Sequence, residues 1–152
     1  VQGEAARERD CPGEVSIPIG QAFDSIVFLH GALANAERIP WQALVPLAAY
    51  VIAYEDGVTV TVPVEYGGNI AAIDRRHADP LPHAMYRHEG YIGTYLADPF
   101  VHGKGPDGGD ITMYGYEWLN PRPGQSIQSV RLVAVGDTDA AVVLFGLTGV
   151  VA

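Results

Sequence analysis

The chain holds 152 residues, enough for one domain with a core of ordinary size. Apolar residues make up 48% and charged residues 18%, the composition of a globular protein with a lightly charged surface. Acidic residues outnumber basic ones 18 to 9 and are spread along the chain, and a net charge of −9 argues against a phosphate backbone as partner.

Residues 1–14, VQGEAARERDCPGE, are polar and close on Pro-Gly, so a lead-in or linker is expected there. Cys11 is the only cysteine, which excludes an internal disulfide and leaves an incidental thiol. No secretory leader precedes Val1, so any signal peptide is expected to be removed or to lie outside this sequence. From Val15 onward, short apolar runs alternate with Gly, Pro and Asp, the pattern of an all-β fold. FDSIVFLHG (23–31) is a strand, and His30 at its apolar end reads as a hydrogen-bonded core histidine. ALANAERIP (32–40) is the one stretch with helical character, kept short by Pro40.

LAAYVIAYEDGVTVTVPVE (47–65) carries the clearest local signal. Asp56-Gly57 between two β-type runs favours a tight hairpin turn with positive φ. Beyond it, Val58, Val60, Val62 and Val64 share one face, predicted to lie in a core, while Thr59, Thr61 and Glu65 share the other. A second β block follows in DITMYGYEWL (110–119), QSIQSVRLVAV (125–135) and AAVVLFGLTGV (140–150), with turns at LNPRPG and GDTD. Tyr114, Tyr116 and Trp118 fall on one face, either core or an external aromatic surface, with core favoured because buried aromatics are the commoner case. These elements predict a single antiparallel β-sandwich or jelly roll over residues 15–152. The most apolar run, residues 140–152, is too short and too glycine-punctuated for a membrane helix, so no membrane partner is expected.

Between the β blocks, residues 67–110 read as a long loop insertion rich in Gly, Pro, His and Asp, and insertions of that length are usually functional. At its centre lies MYRHEGYIGTY (85–95), with tyrosines, both signs of charge and two glycines.

Four pieces, in order, carry a resemblance: Phe28-Leu29-His30, Asp56-Gly57, Gly68-Asn69-Ile70 and Trp118-Leu119-Asn120-Pro121. The chain over residues 15–150 resembles the galactose-binding-like jelly-roll domains appended to bacterial glycoside hydrolases. One departure stands out: the tryptophan expected shortly after Gly-Asn-Ile is replaced by Ala71, Ala72, Ile73 and Asp74. The resemblance implies carbohydrate binding or an accessory structural role, in a non-catalytic module that is secreted, periplasmic or on the cell surface, with a catalytic domain in the same chain as a further partner. It supplies no catalytic residues.

Sugar recognition combines aromatic rings stacked on the C–H faces of a pyranose with charged or amide groups bonded to its hydroxyls. Candidate glycan contacts over residues 65–102 are Glu65, Asn69, Arg76, Tyr86, Arg87, His88, Glu89, Tyr91 and Asp98, with Arg75 and Tyr95 of the same kind. The competing reading pairs Arg75, Arg76 and Arg87 with Glu65, Glu89 and Asp98 to pin the loop to the sandwich. His77, His83 and His88 near Asp74 and Asp79 follow no zinc spacing, so no metal site is assigned. GPDGGD (105–110) is too short for an EF-hand loop, and a structural calcium on backbone oxygens stays open. Glu89, Asp98 and Glu117 could be nominated as a carboxylate pair, but no nucleophile elbow or phosphate loop accompanies them. A sugar-binding module is thus the leading expectation, a structural module that packs on a partner the second, and a small jelly-roll enzyme the third.

Overall fold

The computed structural model describes residues 1–2, 11–33, 44–74, 97–135 and 139–151. Eight strands form: β1 (Glu14–Gln21), β2 (Ser25–Leu33), β3 (Val45–Tyr54), β4 (Thr59–Tyr66), β5 (Ala97–Lys104), β6 (Asp110–Leu119), β7 (Ile127–Ala134) and β8 (Ala141–Val150). They make two four-stranded antiparallel sheets, β1-β7-β3-β4 and β5-β6-β2-β8, so the all-β sandwich holds. No helix occurs among the described residues. Ala32 and Leu33, the start of the predicted helix, continue β2, and residues 34–40 lie outside the described part.

The Asp56-Gly57 signal becomes the β3–β4 hairpin. Gly57 N donates to Tyr54 O (3.0 Å) and Tyr54 N to Val58 O (2.9 Å), a three-residue loop whose last position needs positive φ, here 85° at Gly57. Asp56 Oδ1 accepts from Val58 N at 3.2 Å, as a turn aspartate does. The facing prediction holds for Val62 and Val64, which are buried, and for Val60, which packs half-buried against the core. It fails for Val58, which is 43% exposed. That residue closes the turn and precedes β4, so it stands at the rim, where the opposite sheet does not cover it.

Strand β6 alternates as expected. Thr112, Tyr114, Tyr116 and Trp118 are all buried, which decides for the core reading of the aromatic face. Phe28 of β2 stacks on Tyr50 of β3 with ring centroids 3.9 Å apart, joining the two sheets through their centre. His30 beside them is fully buried, and its ring meets the Tyr50 hydroxyl (2.8 Å) and the Asn69 carbonyl (2.7 Å). It is the hydrogen-bonded core histidine that its place on an apolar strand implied.

The corner after β6 is built on Asn120. Its Oδ1 accepts from the Tyr54 hydroxyl (2.5 Å) and Arg122 N (2.9 Å), and its Nδ2 donates to Phe23 O (2.7 Å). Arg122 then grips Asp56 with two hydrogen bonds (3.0 and 2.6 Å) and lies 4.8 Å over the Tyr54 ring. The Arg122 hydrogen bonds hold the Asp56 carboxyl down at about 2, so the clamp stays charged through neutral pH. Asn120→Ala would strand the buried Tyr54 hydroxyl and the Phe23 carbonyl, costing about 2–4 kcal/mol. A thermal melt should show a fall of about 5–15 °C; an unchanged melting temperature would dismiss Asn120 as the corner's anchor.

Two expectations need correction. The lead-in is docked at both ends: Val1 and Gln2 are buried, Gln2 pairs with Ala141, and β1 starts at Glu14. Residues 3–10 lie outside the described part. The insertion predicted over 67–110 is also shorter than it reads. Its first residues turn back at Gly67 (φ 83°), after which Ala71 and Ala72 are buried beside Ala32 of β2. Its last part is β5, an edge strand that Pro99 and a register shift between Pro99 and Val101 disguise in the sequence.

Candidate functional site

The residues on either side of segment 75–96 both meet one strand. Thr112 N of β6 donates to Ile73 O (2.7 Å), and Ala97 pairs with Tyr116 four residues further along, about 13 Å away at ordinary strand rise. Arg76, Tyr86, Arg87, His88, Glu89 and Tyr91 all fall within that segment and lie outside the described residues, as do Arg75, Tyr95, His77, His83 and Asp79.

The other three predicted contacts are placed separately. Asn69 is 2% exposed, its Oδ1 accepting from Glu65 N (2.9 Å) and its Nδ2 donating to Pro63 O (2.8 Å). Its own carbonyl serves His30. Asn69 therefore belongs to the frame of the fold and presents no surface to a ligand. Glu65 is half-buried near the end of β4, and its carbonyl accepts from Gly68 N and Asn69 N. Asp98 lies on β5, paired with Gly115 of β6. Because β4 and β5 each end their sheet, Glu65 and Asp98 sit on edge strands of different sheets.

Sequence reasoning passed over the surface feature that the sheet does build. With Tyr114, Tyr116 and Trp118 turned inward, Met113, Gly115 and Glu117 face out, and so do Val27 and Leu29 of β2. Phe100 is 69% exposed on this face, its ring atoms 3.3 Å from where a Gly115 Cβ would stand. A Cβ at this position would push the ring back by a few tenths of an ångström, so glycine favours its close seat on the strand. Phe145, 43% exposed on β8, lies in ordinary contact range of Gly31, 3.6 Å from where a Cβ would stand. Between them runs the row Gly115–Leu29–Gly146, whose glycines lie two strand spacings, about 10 Å, apart. Exposed Glu117 borders this row two pairs further on, opposite Val27, accepting a 2.6 Å hydrogen bond from Ser25 Oγ. The result is a shallow apolar floor with an aromatic ring at either side and a carboxylate at its margin. No alternation signal marks Phe100, because it occupies the register shift.

A polar recess of about 560 Å³ lies at the β5–β6 hairpin, lined by Asp74, Lys104, Asp107, Asp110 and Ile111. Here GPDGGD repeats the turn of the other hairpin: Gly108 N donates to Gly105 O (2.9 Å), Gly105 N to Gly109 O (2.8 Å), and Gly108 has φ 80°. Asp107 Oδ1 accepts from Gly109 N (3.0 Å), and Lys104 pairs with Asp110 at 2.5 Å. These acidic groups thus have work in the turn. Among the described residues no group of three or more His, Cys, Asp or Glu side chains could hold a metal ion. No family model matches this chain, and neither does any curated protein or solved structure.

Proposed function

We propose that this domain is a non-catalytic carbohydrate-binding β-sandwich, an accessory module of a glycoside hydrolase acting outside the cytoplasm. The observation that carries the reading is Phe100, an aromatic ring 69% exposed and seated on Gly115 of a rigid antiparallel sheet. An exposed ring on a fixed strand offers a sugar's C–H face a stacking partner at little entropic cost, since the ring has few torsions left to freeze. Leu29 and Phe145 extend the apolar floor, Glu117 supplies an acceptor for hydroxyls, and Asp98 pairs with Gly115 on the adjoining strand. The glycan lies along this face, and Arg76, Tyr86, Arg87, His88, Glu89 and Tyr91 of segment 75–96 remain its further contacts in this proposal.

A glycan array on the isolated domain, followed by calorimetric titration, tests this. Phe100→Ala should weaken binding by about 1–2 kcal/mol, the scale of one aromatic contact, while the melting temperature barely moves because the ring is so exposed. If no poly- or oligosaccharide binds the parent, or Phe100→Ala binds as tightly, the reading fails. Release of new reducing ends by the domain would replace it with an enzyme. The reading as a structural module that packs on a partner gains from one feature elsewhere, the uncharged edge of β8.

A further inference from the structure

A strand at the edge of a sheet presents unpaired N–H and C=O groups, and natural sheets blunt such edges with proline, charge or short length. Three of the four edge strands here follow that rule. β1 carries Glu14 and Pro18, β4 carries Pro63 and Glu65, and β5 carries Asp98, Pro99 and Lys104. β8 does not: its ten residues, AVVLFGLTGV, include neither a charge nor a proline. A long apolar edge left without these devices is built to be paired.

Its first residues are paired already. Val1 N donates to Val142 O (2.6 Å), Val142 N to Val1 O (2.8 Å), and Gln2 bridges Ala141 in antiparallel sense. The Val1 side chain is buried and lines a hollow of about 320 Å³ together with Val15, Ile17, Leu132, Val142 and Leu144. A second groove of about 460 Å³ continues from it, sharing Ile17 and Leu144 and adding Ile19, Phe23, Leu147 and Gly149. No side chain lining either hollow is charged. Beyond Val142, no described residue pairs with the outer edge of β8. Val1 thus performs in miniature what the rest of the edge is shaped to accept: main-chain bonds to β8 and an aliphatic side chain between β8 and β1.

We infer that the open flank between β8 and β1 binds an extended segment of a second polypeptide by strand addition. The segment runs antiparallel to β8 along residues 143–150, is uncharged, and inserts aliphatic or aromatic side chains at alternate positions into the 460 Å³ groove. The edge supplies affinity through backbone bonds, and the groove selects apolar residues. This flank is at the far end of the sheet from β5 and does not depend on the sugar reading.

The probe is a capped, fluorescein-labelled peptide of alternating valine and threonine, about eight residues long to match the free edge. A second peptide carries prolines at its two central positions and cannot continue the ladder. Anisotropy titration should give saturable binding of the first peptide and none of the second, and hydrogen exchange should slow at residues 143–150. Thr148→Lys places a charge on the exposed edge and should weaken binding about ten-fold or more without lowering the melting temperature. Ile19→Lys, on the groove wall, should weaken binding likewise from β1, with some loss of melting temperature because Ile19 also packs against the core. The inference is overturned if the peptide fails to bind at about 1 mM, if the proline peptide binds equally, or if both variants bind as the parent does. It is equally overturned if sedimentation finds the parent dimeric and Thr148→Lys monomeric, because a second copy then holds the edge.

Discussion

Val64→Asp should unfold the domain, whereas Val58→Asp should leave it intact. The two valines share one period-two face in the sequence, yet Val64 is fully buried opposite Ala48 and Val58 is 43% exposed at the turn. A carboxylate at Val64 would enter the hydrophobic core, costing several kcal/mol, or would stay protonated at a similar expense. Domains of this kind have only about 5–15 kcal/mol in hand, so such a loss removes most of the folded population at ordinary temperature. At Val58 the same side chain projects into water, and the effect should stay within about 0.5 kcal/mol. Paired thermal melts followed by circular dichroism decide it. Equal tolerance of the two substitutions would mean that β4 is turned the other way.

Where one face of a strand meets the core and the chain turns locally, the sequence was readable. The β3–β4 hairpin, the inward Tyr114, Tyr116 and Trp118, and the buried His30 all follow from alternation and turn chemistry. Non-local pairing left no such trace. Gln2 pairs with Ala141 across nearly the whole chain, and nothing in VQ announces it. β5 escaped because Pro99 argues against a strand, although an edge position with a register shift tolerates proline. Phe100 was missed for the same reason, and its exposure comes from packing on Gly115, a contact that only the register creates.

The residues behind the resemblance mostly serve the frame. Phe28 stacks on Tyr50, Gly57 closes a turn, Asn69 binds its own loop, and Asn120 ties a corner. The order of such pieces reports how this sandwich is held together, and on the proposed reading ligand contacts come from other residues. The missing tryptophan fits this view. At Ala71 and Ala72 the chain is buried beside Ala32, and Ile73 lies on Gly31 so closely that its Cγ2 is 2.1 Å from where a Cβ would be. Sugar contacts, on the proposed reading, pass to Phe100 on the outer face and to the segment beyond Asp74.

Between pH 6.5 and 4 the domain should lose about 3 kcal/mol of stability through His30 alone. The Asn69 carbonyl can only accept, so Nε2 carries the proton, and Nδ1 accepts from the Tyr50 hydroxyl. Burial pushes the Tyr50 phenol pKa up, so it remains a donor throughout this range. Burial likewise lowers the imidazole from its ordinary 6.5 to about 4, with the Asn69 hydrogen bond opposing the shift only in part. The unfolded chain takes up a proton at this residue below pH 6.5, but the folded chain does not until about pH 4. Stability is therefore complete above pH 6.5 and falls with pH across the window, at about 1.4 kcal/mol per unit. Asp56, held down at about 2, loses its Arg122 clamp only in stronger acid and does not contribute here. His30→Gln removes the titrating group while keeping a polar side chain. It should start less stable at pH 7 yet show a flatter profile between pH 6.5 and 4. Urea denaturation at half-unit intervals of pH measures both slopes, and parallel profiles for parent and variant would show that His30 is not the group responsible.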